Sequence, residues 1–264
     1  MFSTRIFLSG ENILPVKNRA AVQKSSGNAS DIPAKNVSLS LEQQSIRMKV
    51  INLGENNTVL SSFIAEMRDR TVQKDSLRFR TNLERVGEIF AYEISKTLAY
   101  APKEVTTPLG IAEMELPETK LVIATILRAG LPLQTGFLRF FDHAETAFVA
   151  AFRKYGKGGY SELRTDYCTC PDLTGKTLIL TDAMLATGAS SEMAMQVLQE
   201  HGGTPACIHL AIPIASRDAV EHFQKTLPDS ITLWTAAIDE ELTSKNCIIP
   251  GLGDAGNLAF GGKK

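Results

Sequence analysis

Cysteine is scarce. Cys168, Cys170, Cys207 and Cys247 are the only four in 264 residues, too few and too irregularly spaced for a disulfide framework or a paired CxxC zinc or redox motif. They read as small, partly buried thiols in a reducing compartment. The four histidines show no HExxH or other paired ligand spacing, so they are expected as surface or core residues, and no resident metal site is expected. Neither sign of charge dominates, with 28 Lys plus Arg against 29 Asp plus Glu and a net charge of −1. That balance excludes partners selected by bulk electrostatics, such as duplex nucleic acid or an anionic membrane. Long apolar runs are also missing. The best, Leu121 to Leu127, has seven residues with a threonine inside, far below the roughly 20 needed to span a bilayer. A soluble, cytoplasmic protein is expected.

What is present fits an ordinary globular chain, with 44% apolar and 22% charged residues and enough length for a substantial core. Residues 1–47 stand apart, rich in Ser, Asn and Lys and without periodicity. A secretory signal would need a longer apolar core than "IFL". A transit peptide fits the excess of Arg5, Lys17, Arg19, Lys24, Lys35 and Arg47 over Glu11, Asp31 and Glu42. The simplest reading is a start codon placed too far upstream, because Met48 opens the ordered pattern; a flexible extension is the alternative. The folded domain is therefore expected over residues 48–264.

From Leu77 to Leu98, apolar Leu83, Val86, Ile89, Phe90, Ile94 and Leu98 recur at spacings of three and four, which predicts an amphipathic helix. The chain then alternates. Strands are expected in "KLVIATI", "ETAFVAAF", "TLILT", "CIHLAIP" and "ITLWTAA", and helices in "LPLQTGFLRFF", "SSEMAMQVLQEHGG" and "SRDAVEHFQKTLP". Short, continuously apolar strands separated by single helices predict an α/β fold, a doubly wound, mainly parallel sheet flanked by helices. Between Arg153 and Gly175 the pattern breaks; Gly156, Gly158 and Gly159 beside basic residues suggest a mobile loop over an anion, or else a solvated hairpin tip.

The stretch "TLILTDAMLATGASSE", Thr177 to Glu192, ends an apolar strand on one acid and follows it with small side chains. In a doubly wound sheet, ligands sit beyond the carboxyl ends of the strands. Asp182 stands at such an end, and the N–H groups of Thr187, Gly188, Ala189 and Ser190 would point from a loop and helix start into the crevice, as a phosphate requires. Small side chains let the backbone approach the oxygens, and a carboxylate suits a ribose diol. The spacing alone fits equally a tight helix cap with no ligand.

This stretch resembles the phosphoribosyl pyrophosphate (PRPP) motif of type I phosphoribosyltransferases, and "TDAMLATGAS" is similar to the version found in uracil phosphoribosyltransferases. "ILRAG" (Ile126 to Gly130), the arginine of "AAFRKY", "AAIDEEL" (Ala236 to Leu242) and the closing "IIPGLGDAGNLAFG" follow in the order that family shows, so the resemblance runs from about Met48 to Phe260. Gly251, Gly253 and Gly256 also spell GxGxxG, but eight residues follow Gly256 and a dinucleotide fingerprint needs a full helix and another strand. A glycine-rich terminal loop is better suited to reading a small planar base through its peptide groups; cytosine in place of uracil would set a donor against a donor.

The resemblance implies transfer of the phosphoribosyl group of PRPP to uracil, giving UMP and pyrophosphate. It implies pyrophosphate contacts from Arg128 and Arg153. PRPP would also be held by Asp182, Ala183, Met184, Leu185, Ala186, Thr187, Gly188, Ala189, Ser190 and Asp254, and uracil by Ile248, Gly253, Asp254 and Ala255. Arg153 and Asp254 are the implied catalytic residues, Mg²⁺ is implied as a cofactor that arrives mainly on PRPP, and a homodimer or homotetramer with GTP activation is implied as well. Four positions depart from the family pattern: Ala183 replaces a usual proline, Ala189 a glycine, Cys247 a tyrosine and Asn257 an aspartate. Two alternatives remain: a weakly active or non-catalytic paralogue acting as a nucleotide-sensing regulator, or an enzyme for another base. The balanced charge speaks against an RNA-binding regulator, and "PGLGDAG" against another base.

Overall fold

The structure is a computed structural model that describes residues 47–155 and 161–262, with residues 152–155 and 161–164 described by their backbone alone. The expected N-terminal extension, up to residue 46, lies outside the described residues.

Fourteen strands and six α-helices are described, in the following order. Strand β1 (Lys49–Asn52) leads into α1 (Val59–Arg68) and α2 (Ser76–Ser95), and a hairpin follows, β2 (Tyr100–Thr107) and β3 (Gly110–Pro117). Then come β4 (Leu121–Leu127), α3 (Leu131–Leu138), β5 (Glu145–Tyr155), β6 (Ser161–Thr169), β7 (Thr177–Thr181), β8 (Met184–Leu185) and α4 (Ala189–Gly202). The chain continues through β9 (Cys207–Ala211), β10 (Ile214–Ser216), α5 (Arg217–Thr226), β11 (Ile231–Thr235), β12 (Ala237–Asp239), β13 (Glu241–Leu242), β14 (Ile248–Ile249) and α6 (Ala255–Phe260).

The main sheet has seven strands in the order β1-β11-β9-β7-β4-β5-β6. All neighbours are parallel except β5 and β6. One face packs on α4 and α5 through Ala194, Leu198, Ala219 and Phe223; the other packs on α1, α2, α3 and α6 through Leu60, Leu83, Phe90, Phe137 and Ala259. Because both faces are covered, β7 is buried at all five positions, which is why it reads as an unbroken apolar run. The doubly wound α/β fold is the one expected. Helix α2 forms where the three-and-four spacing placed it, capped by Asp75, whose carboxylate accepts from Leu77 N and Arg78 N.

Three differences from the sequence reading have physical causes. Strand β5 runs beyond the expected "ETAFVAAF" to Tyr155 and pairs antiparallel with β6, the pairing that the hairpin alternative requires, so Arg153 stands opposite Leu163, while residues 156–160 lie outside the described part. The β2–β3 hairpin has an almost wholly exposed surface, so burial leaves no alternation in its sequence. Finally, β7, β9 and β11 break at their carboxyl ends and re-pair as a smaller parallel sheet, β12-β10-β8. Pro213 lies at the break after β9; lacking an N–H it cannot extend the ladder, and its carbonyl instead accepts from Ala236 N, Ala237 N and Thr235 Oγ1. This second sheet sets Ser216 beside Asp239 and Ala215 beside Leu185.

Candidate active site

Strand β7 delivers Asp182 to the carboxyl end of the sheet. Its Oδ1 accepts the Ala183 N–H at 2.7 Å, yet burial outweighs that donor and pushes the carboxyl up to about 7. Met184 and Leu185 form β8 beside β10, and the Ala186 carbonyl accepts from Ser216 Oγ at 2.5 Å. Ser216 also caps α5 by accepting from Ala219 N, so the helix that follows β10 anchors the loop that follows β7.

Helix α4 begins at Ala189, one residue earlier than the sequence suggested. Its N-cap is Gly188, at φ 87°, and no side chain caps it. With no side-chain cap on it, the positive end of the helix dipole is arranged as an anion needs. Ala189 is helical and exposed.

Arg128 follows β4 across a cis peptide from Leu127. Its Nη1 and Nη2 both donate to Gly261 O at 3.2 Å, Nη2 also donates to Asn257 Oδ1 at 3.2 Å, and its buried Nε finds no hydrogen-bond partner among the described residues. Asp254 caps α6: Oδ1 accepts from Asn257 N and Oδ2 from Asn257 Nδ2, each at 2.9 Å. Asn257 thus bridges the arginine and the aspartate with opposite ends of one amide. An aspartate at 257 would offer a second carboxylate to Asp254 in place of a donor.

These residues, from three distant motifs, line one cavity of about 200 Å³. Arg128, Asp182, Ala183, Met184, Ser190, Asp254 and Ala255 are brought together in it, with Ala151 of β5 beside them. Leu185 is buried in the core, Ala186, Thr187 and Gly188 lie along the adjoining loop and Ala189 opens α4, all four outside the cavity lining. Ile248 is 8% exposed and pairs with Leu242, and Gly253 is exposed in the terminal loop; neither lines the cavity. The Arg153 backbone belongs to β5, and its side chain lies outside the described residues.

A family profile described as uracil phosphoribosyltransferase matches residues 55–262. The chain belongs to the uracil phosphoribosyltransferase family. A Porphyromonas gingivalis protein named uracil phosphoribosyltransferase is 51% identical over 216 residues, covering 82% of this chain and all of the relative. One from Pyrococcus furiosus with the same name is 33% identical over 78% of this chain and 88% of its own length. The solved structure of the AQ2163 protein from Aquifex aeolicus superposes with a TM-score of 0.71 at 26% identity, over 80% of this chain and 98% of that one.

Of the four positions at which the resemblance implies another residue, Ala183 and Ala189 find a local explanation in the geometry beside that of Asn257. Ala183 supplies the N–H that Asp182 accepts, a donor that proline lacks. Positive φ falls on Gly188 and not on residue 189, so alanine at 189 meets no backbone strain. Cys247 is exposed at the β13–β14 turn, where its N–H donates to Thr243 Oγ1.

Ser216 opens α5 as the sequence suggested, but its bond to the Ala186 carbonyl, and the roles of Arg68 and Asp239, were not legible in the sequence. Arg68 and Asp239 face each other in a fork of two 2.8 Å bonds, and both also touch Gly251. Asp239 lies in the quoted "AAIDEEL"; Arg68, in "AEMRDR", carries no local signal.

Proposed function

We infer that the chain transfers the phosphoribosyl group of PRPP to uracil, giving UMP and pyrophosphate in pyrimidine salvage. The observation that carries this is the convergence of Arg128, Asp182 and Asp254, from three separate motifs, on one cavity beside an uncapped helix N-terminus in a chain of this family.

In this reading the 5-phosphate rests on the backbone of residues 187–190, the ribose diol donates to Asp182, and Arg128 with Arg153 takes the pyrophosphate. Arg128 has an unspent Nε donor at the cavity wall, suited to a polyanion. Ile248, Gly253 and Ala255 present the backbone to uracil, and Asp254 stands between base and PRPP. Breaking the C1 bond leaves positive charge on the sugar and negative charge on the leaving group, so catalysis consists of positioning and of stabilising the departing pyrophosphate. The cavity offers Mg²⁺ only two carboxylates, Asp182 and Asp254, which suits an ion that brings its phosphate ligands with it. When bound, it neutralises charge on those phosphates.

We further place the enzyme in the cytoplasm as a homodimer or homotetramer activated by GTP, which light scattering and a GTP titration of the rate would check. Purified protein supplied with PRPP, Mg²⁺ and labelled uracil, cytosine or hypoxanthine should form UMP from uracil and no nucleotide from the other two. Absence of UMP above background overturns the assignment.

A further inference from the structure

We propose that Arg68 and Asp239 are positioning residues for the base-reading loop, clamping both backbone polar groups of Gly251. This rests on the assignment of uracil to Ile248, Gly253 and Ala255. Three segments distant in sequence meet here. Arg68 is the last residue of α1, Asp239 ends β12, and Gly251 follows β14 at the entry to the terminal loop. Arg68 Nη1 and Nη2 donate to Asp239 Oδ2 and Oδ1, each at 2.8 Å. Each partner then takes hold of the glycine: Arg68 Nη1 donates to Gly251 O at 3.1 Å, and Gly251 N donates to Asp239 Oδ2 at 2.9 Å.

The peptide planes on both sides of the Gly251 Cα are therefore fixed from outside by a charged pair. Peptide units are rigid, so holding both planes holds the two torsions between them. Gly251 cannot hold them itself. It sits at φ 54°, and a Cβ there would stand 2.3 Å from Ile248 O, so the position demands a residue with no side chain and maximal backbone freedom. A loop that recognises a base through its own N–H and C=O groups works only if those groups are aimed to within a fraction of an ångström. Asp239 is 7% exposed and the Arg68 side chain 22%, so the clamp is shielded and its bonds are not easily exchanged for water. Neither residue lines the cavity that holds Arg128 and Asp182; they act through Gly251. The fork geometry requires guanidinium, and lysine in its place keeps the charge but cannot make the same set of bonds.

The test uses the full chain with Arg68→Lys and Asp239→Asn, varying uracil and PRPP separately and measuring inhibition by cytosine. Both variants should raise the KM for uracil at least tenfold while the KM for PRPP moves less than threefold. The ratio of the cytosine inhibition constant to the uracil KM should narrow at least fivefold. A purely structural role would lower Tm and move both KM values together. A uracil KM within twofold of wild type, or parallel rises in both KM values, overturns the clamp. Arg68→Lys keeps a cation against Asp239 and carries the test if Asp239→Asn does not fold. If wild type forms no UMP, it is the functional assignment that fails. Hydrogen exchange of the peptide covering residues 250–255 then decides the clamp, with faster exchange in the variants expected and unchanged exchange overturning it.

Discussion

The ring of Phe223 in α5 occupies the space that a side chain on Gly188 would need: a Cβ built on Gly188 falls 2.4 Å from Phe223 Cε1. Gly188 is also held at φ 87°, so two independent constraints exclude any other residue. Gly188→Ala is expected to cost about 2–5 kcal/mol, adding left-handed strain to overpacking, and to lower Tm by at least about 5 °C in a thermal melt. Gly188→Ala/Phe223→Leu should recover only the packing part. Full recovery in the double variant would show that the backbone conformation is not the constraint.

Ala189 makes the opposite prediction, although it is the next residue. It begins α4 with an exposed side chain, so Ala189→Gly restores the residue usual in the family without relieving any contact. The KM for PRPP should stay within about threefold of wild type, with stability lowered by up to about 1 kcal/mol from helix propensity. A tenfold fall in that KM would mean that residue 189 limits phosphate approach.

The difference between these neighbours shows where sequence reading stops. The stretch announced a phosphate loop through its small residues and its terminal acid, but the packing that bars a side chain at 188 comes from Phe223, 35 positions away. Burial on both faces wrote β4, β7, β9 and β11 into the sequence as apolar runs. The exposed β2–β3 hairpin and the two- and three-residue strands of the second sheet left no period to read. Arg128, Asp182 and Asp254 sit in recognisable local motifs. The meeting of Arg68 with Asp239 is created by tertiary packing alone, and nothing near Arg68 in the sequence encodes it.

Asp182 should give the enzyme a pH signature. Its carboxyl is raised from 3.8 to about 7 by burial, so the folded state keeps a proton that the unfolded chain releases. Stability from this group is complete below pH 3.8 and is lost as pH rises through about 7. Asp182→Asn should therefore raise Tm at pH 8 and leave it unchanged near pH 4, while raising the KM for PRPP roughly ten- to hundredfold through loss of a charged acceptor. In wild type that KM should fall as pH rises through 7 and Asp182 ionises. Ala183→Pro, which deletes the N–H supporting the carboxylate, should move the midpoint upward. A wild-type KM profile superimposable on that of Asp182→Asn would remove the residue from PRPP binding.

His209 predicts the reverse trend on the acid side. Trp234 Nε1 donates to His209 Nδ1 at 3.0 Å, which places the ring proton on Nε2, and burial holds the imidazole neutral by lowering its pKa from 6.5 to about 4. The unfolded chain takes up a proton below pH 6.5 that the folded chain refuses until about pH 4. Stability is thus complete above 6.5 and declines as pH falls through that window, by about 3 kcal/mol at its foot. Asn at 209 keeps an acceptor for Trp234 but does not titrate. His209→Asn should lower Tm at pH 7 through lost volume, yet lose fewer degrees than wild type between pH 7 and pH 4.5. Equal losses in the two proteins would show that His209 already takes its proton in the folded state, and that the strands around it are open enough to hydrate the charge.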